Sequence, residues 1–162
     1  MESIRVGDMS RVWGPSLRRA FVATALSWFG ATACLGIDNP DAPDRMAQFE
    51  ERAAAYEAHI DAQTGTTSDI VVAYASYQRF LDDELSRVYG ALFEKLAPTS
   101  RAKLSQSQKR WFGYRDAEFR FIESNWTQSQ FGTSAALSRG AYRASIVKQR
   151  VTQLIQYLKN YP

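Results

Sequence analysis

One cysteine and one histidine among 162 residues remove several classes of chemistry at the outset. A lone Cys34 permits no internal disulfide in any redox compartment. A lone His59 leaves His-assisted triads a single candidate, with no nucleophile near it in the sequence. The Glu-x-x-His pairs of a bundle metal site are missing, and so is a Gly-rich phosphate loop. No segment sustains period-two alternation, which argues against a sheet. Carboxylates are plentiful, but a run such as Asp82, Asp83 and Glu84 on a soluble helix reads as a solvated face rather than a glycosidase pair. The expectation is a non-enzyme with no catalytic residues, no metal and no cofactor.

What is present is ordinary globular material, 45% hydrophobic and 23% charged, enough for one domain with a real core. The net charge of +3 conceals an asymmetry. Residues 38–94 carry twelve acids and four bases, net −8, whereas residues 95–162 carry twelve bases and three acids, net +9. Such halves suit either partners of opposite sign or helices packed on one another with their charges compensated. The second reading is the simpler one.

The beginning of the chain reads as a processing segment. Arginines lead into "AFVATALSWFGATA" (20–33), an apolar run too short to span a bilayer stably. Ala31-Thr32-Ala33 forms an A-x-A cleavage pattern directly before Cys34. The same residues resemble a bacterial lipobox, with Ala31 where that box has a larger aliphatic residue. Both peptidases would cut at the same bond, so lipidated and soluble products stay open, as do the general export route and, from "RRAFV" (18–22), a twin-arginine route. The expected organisation is a signal peptide over 1–33, a tether over 34–41 and a helical domain over 42–162.

Four amphipathic segments follow. Asp41 with Pro43 can start the first, 42–63, whose apolar stripe is Met46, Phe49, Ala53, Tyr56 and Ile60. Thr67 or Ser68 can cap the second, which Pro98 stops near Ala97; its stripe is Ile70, Val71, Tyr74, Leu81, Leu85, Val88, Tyr89, Leu92 and Leu96. Thr99 or Ser100 can cap a third reaching about Asn125, and a loop over 125–134 leads to a fourth, from about Ala135 to Leu158. Short links between long helices predict an all-α, antiparallel bundle of about four helices behind the N-terminal signal segment.

The stretch "QKRWFGYRDAEFRF" (108–121) mixes bases, acids and five aromatics. On a helical wheel Leu104, Gln108, Trp111, Phe112, Arg115, Phe119 and Ile122 share an arc of about 100°, and Lys109, Arg110, Asp116 and Arg120 lie outside it. The aromatics should therefore be mostly core, which disfavours a nucleic-acid stacking platform. Near-neutral charge beyond residue 33 disfavours it further. A guanidinium inside the apolar arc needs a partner, and Asp82 at the edge of the second helix's stripe supplies one, with Glu84 further round. The expected Arg115–Asp82 pair, near Trp111 and Gln108, is structural and holds the second and third helices in register.

These residues resemble a family. "FLDDELSRVY" (80–89) is similar to the D-x-E-L-N-x-x-Y motif of the LprI-like lysozyme-inhibitor domain of bacterial envelope proteins, and "LSQSQKRWFGYRDAEF" (104–119) to its Q-x-x-W-x-x-x-R-D segment. "GTS" (132–134) and "VKQRVTQL" (147–154) resemble its Gly-Ser turn and closing T-x-x-R-x-x-x-L. The resemblance covers roughly 70–155, leaves the first helix out, and assigns a motif network to Asp82, Glu84, Leu85, Tyr89, Gln108, Trp111, Arg115, Asp116, Arg150 and Leu154. Ser86 replaces the family's Asn, and Phe119 stands where many members have a cysteine. The resemblance thus implies a member without the stapling disulfide.

The implied function is an exported module that binds and inhibits a wall-degrading hydrolase such as a lysozyme; a non-inhibitory structural or interaction protein of the envelope is the alternative. The partner would be a protein rather than a nucleic acid, with membrane contact only through a lipid on Cys34. The acidic first half suits a basic enzyme surface. Glu50, Glu51, Glu57 and Asp83 lie off or at the edge of the apolar stripes and are the candidate contacts, followed by the loop aromatics Trp126 and Phe131.

Overall fold

The computed structural model describes residues 44–161. The signal segment, Cys34, the tether and the helix start expected at Asp41 and Pro43 lie outside them. Within them the elements are α1 (Arg45–Asp61), α2 (Thr67–Lys95), α3 (Pro98–Asn125), α4 (Gln128–Phe131) and α5 (Ser134–Lys159), with no strand among the described residues. The all-α bundle expected from the apolar periodicity is the observed fold, α4 being a single turn inside the expected loop.

Local chemistry explains each start. Asp44 caps α1, its carboxylate accepting from the N–H groups of Met46 at 3.0 Å and Ala47 at 2.9 Å. At the start of α2 the Asp69 carboxylate accepts from the Thr66 N–H at 2.7 Å and the Thr66 hydroxyl at 2.9 Å, so the cap is Thr66 rather than Thr67 or Ser68. Those two bonds hold the Asp69 carboxyl below its usual range. Pro98 does more than stop α2. It occupies the first turn of α3, where a fixed φ and a missing N–H are favourable, and the cap is Ala97 rather than Thr99 or Ser100. Gly132 ends α4 at φ 59°, a left-handed conformation that favours glycine.

The stripe expected for α1 is the observed one: Phe49, Ala53 and Ile60 are buried, and Met46 and Tyr56 pack against them. In α2 the expected aliphatic stripe is the observed one from Leu81 onward; before it Tyr74 packs against the core, but the buried positions are Ala73 and Tyr77. The buried line runs Ala73, Tyr77, Leu81, Glu84, Val88, Leu92 in steps of three and four, while Val71 is half-exposed. β-Branched residues at the helix start drew the expected line off its axis.

The most extensive interface joins α2 to α5, with α1 and α3 against that pair. Consecutive long helices run antiparallel: Arg52 meets Glu84 and Glu57 meets Tyr77, Ser105 meets Tyr89 and Arg115 approaches Asp82, and Gln108 meets Arg150 and Glu123 meets Arg143. The α2 and α5 helices therefore run in the same direction. Gly140 on α5 comes so close to Tyr74 on α2 that an added Cβ would lie 2.4 Å from the ring. Leu81, Leu92, Val147, Val151 and Leu154 are fully enclosed at the centre.

The helix α3 is the loosest of the long elements. Only Leu104, Gln108 and Ile122 of its 28 residues are buried. Phe112 is 40% exposed, and Tyr114 and Phe121 are each 54% exposed, so most aromatics of 108–121 are not core. Trp111 and Phe119 are partly buried. The hundred-degree arc exists, but α2 and α5 cover only part of it.

Candidate functional site

Among the described residues three polar side chains are buried, Glu84, Gln108 and Arg150, and they form two separate nodes. At the first, the Glu84 carboxylate accepts from Arg52 on α1 (Nε 3.2 Å, Nη2 2.9 Å) and from Arg87 one turn along α2. Burial alone would raise the Glu84 pKa, but the hydrogen bonds from Arg87 and Arg52 outweigh it and the net shift is downward. Sequence reasoning placed Glu84 outside the stripe and Asp82 at its edge; Asp82 is at the edge, but Glu84 is buried. Glu84 sits three residues after Leu81 and four before Val88, on the buried line itself.

At the second node Arg150 on α5 donates to the Gln108 side-chain oxygen on α3 twice, Nε at 3.1 Å and Nη2 at 3.0 Å. It also donates to Gln153 on its own helix and lies 5.8 Å from the Trp111 ring centroid. Burial pulls its pKa down. Among the described residues no carboxylate completes this node, so amide carbonyl oxygens, the Ser107 hydroxyl at 3.3 Å and an aromatic face carry the guanidinium.

The Arg115–Asp82 pair expected to be buried is corrected. Its closest approach is 4.0 Å, with the two side chains 23% and 46% exposed. Arg115 bonds its neighbour Asp116 instead, Nε at 3.0 Å and Nη2 at 2.8 Å, and lies over Phe112 at 4.8 Å from the ring centroid. Partial burial raises the Asp82 pKa, with Gln78 and Arg115 opposing. The remaining motif positions fall beside these nodes: Tyr89 shares a 3.0 Å hydrogen bond with Ser105, and Leu85 and Leu154 are core.

A groove of about 730 Å³ runs over the outer face of α5. Glu57, Ile60 and Asp61 of α1 wall one side, and Trp111 and Tyr114 of α3 the other. Inside it Lys148 pairs with Glu50 at 2.8 Å and Glu57 at 3.1 Å. Glu57 also accepts from the Tyr77 hydroxyl at 2.5 Å; that bond, against the opposing effect of burial and with help from Lys148, lowers its pKa. Burial and then Glu57 push the Tyr77 hydroxyl strongly upward. Lys148 loses charge stability to burial but gains more from Glu50 and Glu57, so its pKa rises.

Of the four acids proposed as partner contacts, Glu50 and Glu57 are thus neutralised within the bundle, whereas Glu51 and Asp83 are exposed. Trp126 packs on Tyr142 at 4.8 Å and Phe121 at 5.7 Å, and Phe131 is 46% exposed. Sequence reasoning missed Arg52, Arg87 and Lys148. Arg87, three residues after Glu84, was legible as a helical neighbour; the other two depend on packing between distant segments.

Fold and nodes together define an all-helical domain whose buried polar groups tie its helices to one another. The family model described as lysozyme inhibitor LprI matches residues 44–154, and the chain belongs to that family. The match takes in α1, so the resemblance extends further toward the N-terminus than the motifs alone indicated. No curated protein matches the chain, and no solved structure does. No helix among the described residues is long and apolar enough to cross a membrane.

Proposed function

We propose that this protein is exported to the cell envelope and there binds and inhibits a wall-degrading hydrolase such as a lysozyme. The family match over 44–154 carries the reading. In this reading residues 1–33 are a signal peptide, 34–41 a tether and 42–162 the inhibitory domain, with Cys34 as the first mature residue and, in the lipidated form, the anchor. The motif residues Asp82, Glu84, Tyr89, Gln108, Trp111, Arg115, Asp116 and Arg150 act on the fold rather than on a substrate.

Charge supports a basic protein partner. Glu51 and Asp83 each directly precede a partner of the Arg52–Glu84 ion pair, so they lie at one level of the bundle, and both are exposed. Such exposed charges steer encounter and set its rate. Phe131, exposed in the α4 turn, is a candidate aromatic anchor. The direct test of binding is gel filtration of an equimolar mixture with a c-type lysozyme. Co-elution as one larger species is expected, and two unshifted peaks at micromolar concentration would reject a stable complex.

A further inference from the structure

The groove over α5 is a feature the inhibitory reading does not use. Its size falls in the range of small-molecule sites, and its lining mixes apolar side chains such as Ile60, Tyr74, Tyr77, Trp111 and Ile146 with polar ones. The floor is one face of α5, where Ala141, Ser145, Gln149, Thr152 and Gln156 recur in steps of four and three. Small residues keep it low, and its polar groups are hydroxyls and amides, each able to donate and accept. Tyr114, 54% exposed on the opposite wall, offers a ring with little conformational freedom to lose.

The charges in the groove are already engaged. Lys148 is held by Glu50 and Glu57, and Arg150 by Gln108 and Gln153. The one further charged lining residue is Asp61, a carboxylate exposed at the end of α1. It can accept from hydroxyls and would repel an anion. An open, electrically balanced groove with an aromatic wall and a floor of amides and hydroxyls matches a chain of neutral sugars. Each ring has an apolar C–H face for the tyrosine and a rim of hydroxyl or acetamido groups for the amides. A polyanion would meet Asp61 and no free cation on the floor.

From this geometry we infer that the α5 groove is a binding site for a neutral oligosaccharide, with Tyr114 as the stacking platform and Gln149 and Gln156 as hydrogen-bonding partners. The inference stands independently of lysozyme inhibition. It is tested by calorimetric titration of the full chain with an N-acetylglucosamine tetramer, and in parallel with a sulfated oligosaccharide of equal length. Millimolar or tighter binding of the neutral tetramer is expected, weakened about three- to tenfold by Tyr114→Ala and by the Gln149→Ala, Gln156→Ala double variant. Phe121→Ala, an equally exposed aromatic of α3 that does not line the groove, should bind as the parent does. Circular dichroism melts confirm that each variant is folded. No binding of the neutral tetramer at millimolar concentration, tighter binding of the sulfated one, or a folded Tyr114→Ala with parental affinity would overturn the inference.

Discussion

Arg150 is a buried cation whose main partner is the neutral side chain of Gln108, bonded at 3.1 and 3.0 Å across the α5–α3 interface. That choice has a structural consequence. The interface is otherwise thin, because α3 buries only Leu104 and Ile122 besides the glutamine, so this polar node does much of the work of fixing α3 on the bundle.

Gln108→Ala removes the oxygen that faces a buried guanidinium and should destabilise the protein by about 1–3 kcal/mol. Arg150→Ala should cost at least as much, and the double variant less than the sum of the two. Denaturant titrations of the parent and the three variants measure the coupling. Additive losses would show that the two residues act apart.

Glu84 gives a pH dependence of defined sign. Its folded pKa lies below its unfolded value of about 4.3, so its stabilising effect is fully present above that pH and is lost as pH falls through the folded pKa. Glu84→Gln should flatten the acid side of the stability profile and cost about 1–3 kcal/mol at neutral pH, the lower part of that range being favoured because Arg52 and Arg87 are 42% and 51% exposed. Melting temperatures between pH 3 and pH 7 test this, and parallel curves for parent and variant would contradict it.

The same acidic cluster shows how far the sequence could be read. The four long helices, their order and the stripe of α1 follow from apolar spacing, since burying one face of a long helix leaves few alternatives. The core face of α2 was legible from Leu81 onward, where leucines and Val88 mark it, but Glu84 was not, because a carboxylate between Asp83 and Leu85 carries no local sign that two arginines will neutralise it. Arg115 shows the opposite failure. Its wheel position is central to the arc, yet α3 stands far enough from its neighbours that the residue remains partly exposed. Helix periodicity gives a direction, and only tertiary packing gives the depth.

Arg115→Ala should accordingly be mild, about 0–1 kcal/mol, because its 4.0 Å contact with Asp82 is half-exposed. A loss near the ~3–5 kcal/mol expected on breaking a buried pair would restore the burial inferred from the wheel. A thermal melt distinguishes these outcomes.

Gly140→Ala tests the close approach of α5 to α2. On propensity alone an alanine in mid-helix would stabilise by about 1 kcal/mol. The added Cβ would meet Tyr74 at 2.4 Å, and the resulting overpacking should reverse the sign to a loss of about 1–3 kcal/mol. A raised melting temperature would mean that the helices separate without cost.

Charge reversal probes the proposed partner surface. Asp83→Lys and Glu51→Lys, at exposed positions, should leave the fold intact, slow association with a basic lysozyme and make it less dependent on salt. Surface plasmon resonance at low and physiological salt reads both effects. Binding indifferent to either change would move the contact to the turn around Trp126 and Phe131.

The most direct measurement of the central claim is the rate at which a c-type lysozyme clears a suspension of bacterial cell walls as increasing amounts of the folded 35–162 chain are added. A rate that falls with chain concentration and saturates at micromolar excess is the expected result. An unchanged rate across that range, repeated with other wall-degrading hydrolases, would contradict inhibition and leave an all-helical member of the family with a different task.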